Sequence, residues 1–126
     1  MSEWTHVIGA LRCEHHWSHD EQERGLRYGD VLKKAFRSPP RGSEGPLQVR
    51  ITNGRPCGSV NDGPKGRFKV CSYQWTVTIF GDLRDYSDIK TIRDWLDKCA
   101  KKVYVREGIV RISVDYAKKS SIWSRS

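Results

Sequence analysis

Residues 73–116 constrain the fold of this chain more than any other segment, because three periodicities follow one another there. Cys71, Tyr73, Trp75, Val77 and Ile79 alternate with Ser72, Gln74, Thr76 and Thr78. Period two in β-branched and aromatic residues marks a half-buried strand. Ile89, Ile92, Leu96, Cys99 and Val103 then recur at three- and four-residue spacing, the apolar stripe of a helix. Val110, Ile112, Val114 and Tyr116 alternate with Arg111, Ser113 and Asp115, a second strand. A strand, an amphipathic helix and a strand with one polar face imply an α+β layer. Helices cover one side of the sheet and the other side is open, so function is sought on the open side.

The remaining segments fit that layer. Residues 4–13 read as a first strand, with Val7, Gly9, Leu11 and Cys13 on one face and His6, Ile8, Ala10 and Arg12 on the other. Apolar residues on both faces suit a central strand. Leu26, Val31, Leu32, Ala35 and Phe36 give a helical stripe within residues 20–36, stopped by Ser38-Pro39-Pro40. A turn at 42–46 precedes a strand in which Leu47, Val49 and Ile51 alternate with polar residues. Asn53-Gly54 is a turn signal, and the glycines and prolines of residues 53–67 read as a long loop. Gly81 ends the third strand, and Ser87 is the expected cap of the second helix. The order β-α-β-β-α-β predicts a ferredoxin-like fold: a four-stranded antiparallel sheet with two helices on one face. Residues 1–116 form that single domain, and the basic, serine-rich residues 117–126 are expected to be a flexible tail.

Lys and Arg total 23 against 15 Asp and Glu, a net charge of +8. A field of that sign favours anionic partners: nucleic acid, nucleotides or acidic protein surfaces. No apolar run approaches the ~18 residues of a membrane span, and no signal peptide is evident, so the expected compartment is intracellular. There Cys13, Cys57, Cys71 and Cys99 are expected to remain thiols.

The start MSEWTHVIGALR, GSEGPLQ at residues 42–48 and TVTIFGDLRDY at 76–86 resemble small uncharacterised proteins of tailed bacteriophages and their prophages. The group has no established catalytic residues to carry over. The resemblance implies a phage product in the host cytoplasm, of the accessory kind that counters host defence. The positive charge departs from the acidity expected of inhibitors that mimic DNA.

Three sets of residues are candidates for chemistry. Cys13, His15 and His19, with His16 between, have metal-ligating side chains but not the spacing of a standard zinc finger. Asp82, Asp85 and Asp88 could hold a catalytic metal, although acids in a turn before a helix also serve as caps. Arg50, Arg55, Lys65, Arg67 and Arg111 form the third set, expected to line one anion-binding surface built from the 53–67 loop and the open face. Base stacking on the sheet is not supported, because Tyr73 and Trp75 share the covered face. No phosphate-binding glycine motif is present. The expectation is a non-catalytic binding protein without cofactor, an anti-CRISPR-like or nucleotide-capturing inhibitor. Its partner would be a host defence protein or a protein–nucleic-acid complex. A plain nucleic-acid-binding module is the alternative, and a phosphodiester-acting enzyme a weaker one.

Overall fold

The computed structural model describes residues 3–17, 28–57, 71–116 and 118–126; for 15–17, 54–57 and 71–73 it describes the backbone alone. Strand β1 (Trp4–Trp17) is followed by helix α1 (Tyr28–Ala35), the short strands β2 (Arg41–Gly42) and β3 (Gly45–Pro46), and strand β4 (Gln48–Cys57). Then come β5 (Cys71–Arg84), helix α2 (Ile89–Ala100), β6 (Val105–Val114) and β7 (Lys119–Arg125).

One five-stranded sheet dominates, in the order β4-β5-β1-β6-β7, with every neighbouring pair antiparallel. β1 is central. It pairs with β5 from Trp4↔Arg84 to Trp17↔Cys71, and with β6 from Thr5↔Val114 to Cys13↔Val105. Its alternation places Val7, Leu11 and Cys13 on the covered face, beside Val77 and Ile79 of β5 and Val110 and Ile112 of β6. Helices α1 and α2 close that face. Leu32, Ile92 and Leu96 are fully buried in the same cluster, each contributing about 1.5–3 kcal/mol through burial. Trp75, Val77, Ile79, Ile92, Leu96, Ile112 and Val114 are all buried, as the two strand patterns and the helical stripe between them require.

The expected four-stranded ferredoxin-like βαββαβ fold is corrected. The large sheet has five strands, and β2 and β3 form a separate two-stranded sheet. The fifth strand is β7, made by the residues expected to fray. Its sequence, KSSIWSR, buries Trp123 at 2% exposure against the core. The Trp123 indole Nε1 donates to Asp97 Oδ1 of α2 at 2.8 Å, and Arg93 of α2 donates to Ser121 Oγ at 2.8 Å and to the Ile122 carbonyl at 2.9 Å. A buried tryptophan among serines suffices for this edge strand, because α2 bonds Ser121, the Ile122 carbonyl and Trp123.

Several boundaries also move. Asn53-Gly54 does not turn the chain: β4 runs on to Cys57 with a register shift between Asn53 and Pro56. Gly81 does not end β5. Its φ of 147°, a conformation other residues avoid, lets the strand continue to Arg84 past the Leu47 side chain. The α2 cap is Asp88, not Ser87. Its carboxylate accepts from Thr91 N at 3.1 Å and Thr91 Oγ1 at 2.7 Å.

Candidate functional site

The uncovered face of the sheet can be read in cross-strand rows. One row runs Gln48, Phe80, Ile8, Arg111, Ile122 from β4 to β7. The next runs Arg50, Thr78, Ala10, Ile109, Ser124, and a third Thr52, Thr76, Arg12, Glu107. A period of two forces this, since the residues between them fill the core.

Ile8 is 66% exposed, Ile109 57%, Ile122 56% and Phe80 38%. Ile8 stands directly opposite Phe80, and Ala10 opposite Ile109. Ile109 is the diagonal neighbour of both Ile8 and Ile122, within ~5–8 Å on such a face. The four side chains therefore make one apolar band across β5, β1, β6 and β7. Singly exposed apolar residues are ordinary, whereas neighbouring ones on a single face make a candidate interaction surface. Arg50 and Arg111 stand exposed along it, and neither has an ion-pair partner among the described residues.

Both ends of the band carry structure. At one end Ala10, Arg12, Thr76, Glu107, Ile109 and Arg125 line a depression of about 540 Å3. The Arg12–Glu107 ion pair, at 3.2 Å, lies there. At the other end His6 is held between two carboxylates: Nδ1 lies 2.6 Å from Asp82 Oδ1 and Nε2 lies 2.8 Å from Asp115 Oδ2. Both bonds form together only when each nitrogen carries a proton. The pKa of His6 is accordingly raised, first by the Asp82 bond and then by the Asp115 bond. Held in this way, His6 has no lone pair to accept a proton, and both carboxylates are engaged by its ring, the trio keeping a single negative charge.

The residues singled out in the sequence fare unequally. Arg50 and Arg111 share the open face, but three strand spacings separate them, roughly 14 Å at ~4.8 Å per strand. Arg50 stands at the β4 margin of the band and Arg111 between Ile8 and Ile122, so the two do not touch. Arg55 lies on the β4 backbone at the register shift, where its side chain is not described, and Lys65 and Arg67 fall outside the described residues. A single five-cation surface is therefore not assembled from the described residues. Cys13 is fully buried in the core, and burial pushes its thiol up to about 12, far from the thiolate a metal needs. His15 and His16 are placed on the β1 backbone only, and His19 lies outside the described residues. Cys13 and Cys99 are free thiols. The three acids have separate structural roles: Asp82 binds His6, Asp88 caps α2, and Asp85 takes a left-handed turn with φ 57°.

The band is not legible in the sequence, because Ile8 and Ala10 read equally well as the second buried face of a central strand. Nor does the sequence reveal Glu14, a carboxylate with a 5% exposed side chain, bonded by Arg106 Nη1 at 2.7 Å and Gln74 Nε2 at 3.2 Å. Among the described residues no helix is long and apolar enough to cross a membrane. The chain matches no family model, no curated protein and no solved structure.

Proposed function

We propose that this is a non-catalytic binding protein that docks an acidic protein surface on the open face of its sheet. The observation that carries this reading is the Ile8–Phe80–Ile109–Ile122 band, with exposed Arg50 at its β4 margin and exposed Arg111 between Ile8 and Ile122. Exposed apolar side chains interspersed with arginine are the composition of protein-recognition surfaces. Single-stranded nucleic acid is recognised on sheets by stacking bases on aromatic rings. Here three of the four apolar side chains are isoleucines, which offer bases no ring, so the band favours a protein. The chain's net charge of +8 selects an acidic one. The phage resemblance supplies the setting: an accessory protein acting in the host cytoplasm on a host defence protein or a protein–nucleic-acid complex.

The test compares the parent with Ile8→Asp/Ile109→Asp. Both substitutions lie on the exposed face, so stability is expected to change by no more than about 0.5 kcal/mol per site. Immobilised parent in a bacterial host lysate should retain an acidic protein that the double variant does not. A partner held equally by the parent and the double variant would refute the assignment. So would self-association of the parent through this face in sedimentation. Affinity for oligonucleotides that falls steeply with salt would favour nucleic acid instead.

A further inference from the structure

The helical side of the molecule carries a second site, independent of the docking face. Helix α1 ends at Ala35, and the chain turns away through Arg37 and Ser38, where Ser38 holds a left-handed φ of 54°. That conformation costs a residue with a Cβ about 1 kcal/mol. It persists here where the Arg37 carbonyl accepts a hydrogen bond from the Trp95 indole Nε1 at 3.0 Å. The indole is further fixed edge-on by Phe36, ring centroids 6.2 Å apart. Between these elements lies a cavity of about 300 Å3 lined by Ala35, Arg37, Ser38, Trp95, Lys98, Cys99 and Lys102.

The side chains that α2 presents to this cavity follow from helical spacing. Trp95, Lys98, Cys99 and Lys102 lie at i, i+3, i+4 and i+7, on one face, and the Lys102 N–H bonded to the Cys99 carbonyl at 3.1 Å carries that face past the helix end. Burial pushes the Cys99 thiol up to about 11, against a smaller downward pull from the ammonium groups of Lys102 and then Lys98. Lysines at a helix C-terminus complement the helix dipole, which accounts for Lys98 and Lys102 taken singly. It does not account for Arg37, which brings a third cation to the same cavity from another element. None of the three has an ion-pair partner among the described residues. The acids of α2 are occupied elsewhere: Asp94 binds Lys90 at 2.7 Å and Asp97 binds Trp123.

We infer that this cavity binds the phosphate group of a small phosphate ester. A phosphate monoester carries nearly two negative charges and three acceptor oxygens, which suits a cavity lined by three cationic residues better than a carboxylate does. The volume lies at the lower limit for small-molecule sites. The Trp95 indole and Ala35 form an apolar wall that a bare inorganic ion would leave unused.

Calorimetric titration of the full chain with a nucleoside monophosphate, the matching nucleoside and inorganic phosphate tests this. Changes in the Trp95 indole N–H resonance locate the binding. The monophosphate should bind saturably at low salt, at least about tenfold tighter than inorganic phosphate, and move that resonance; the nucleoside should do neither. Lys98→Glu/Lys102→Glu, and separately Arg37→Gln, should each weaken binding at least about tenfold, while Arg50→Glu/Arg111→Glu on the opposite face should not. Absence of saturable binding below about 10 mM, an affinity near the limit of useful recognition, would overturn the inference. Unchanged affinity in both cavity variants would do the same. Equal affinity for inorganic phosphate and the monophosphate would overturn its assignment to an ester.

Discussion

His6 joins three strands with one ring: it stands on β1, Asp82 on β5, and Asp115 directly after β6. Its folded pKa is raised above the ordinary 6.5, so folding binds the proton more tightly than the unfolded chain does. The contribution is fully present below pH 6.5 and is lost as pH rises through the folded-state value. The side chain is 40% exposed, so solvent screening limits the contribution to about 1 kcal/mol at most. Denaturant midpoints measured from pH 6 to 9 should fall for the parent and flatten for His6→Gln. Parallel profiles for the two proteins would rule the clamp out as their source. The sequence shows His6 among the residues facing away from the core, but not its acids, which lie 76 and 109 positions further along. Only the register of β1 against β5 and β6 brings them together. By contrast Arg50, Thr76, Thr78 and Arg111 are legible on the open face, because alternation alone decides which way each points.

At the scale of elements, packing depends on how closely β1 and β6 approach. A Cβ on Gly9 would lie 2.2 Å from the Ile109 carbonyl oxygen and 2.4 Å from Val110 Cα. Neither is a flexible side-chain end, so Gly9→Ala must push the strands apart. The expected cost is about 2–3 kcal/mol by chemical denaturation, at the upper end for overpacking. An alanine variant as stable as the parent would show that the pair opens freely. β5, α2 and β6 are legible because burial fixes their patterns over many residues. Their ends are not, because local signals compete there. Ser87 and Asp88 are both good caps, and only Asp88 reaches Thr91, which with the backbone bond holds its pKa down. Gly81 reads as a terminator, yet glycine's freedom at positive φ serves to prolong the strand.

For the whole molecule, β7 decides the architecture. Two adjacent residues there have opposite roles. Trp123 points inward, 2% exposed, and bonds Asp97; Ile122 points outward, 56% exposed, into the apolar band. No periodicity in KSSIWSR is long enough to reveal a strand, and serine-rich basic termini commonly fray, so the fifth strand escaped the sequence. Its omission also hid one end of the band, since Ile122 lies on it. Deleting residues 119–126 would leave β6 as an exposed edge and strip Arg93 and Asp97 of their partners. Trp123→Ala alone should cost about 3–5 kcal/mol, a large share of the ~5–15 kcal/mol typical of a domain. Ile122→Asp, one residue away, should change stability by no more than about 0.5 kcal/mol yet weaken docking. The comparison separates scaffold from surface within a single dipeptide: thermal or denaturant unfolding reads the first, retention of the partner reads the second. A Trp123→Ala chain that melts like the parent would remove β7 from the core. An Ile122→Asp chain that binds like the parent would end the docking band at β6.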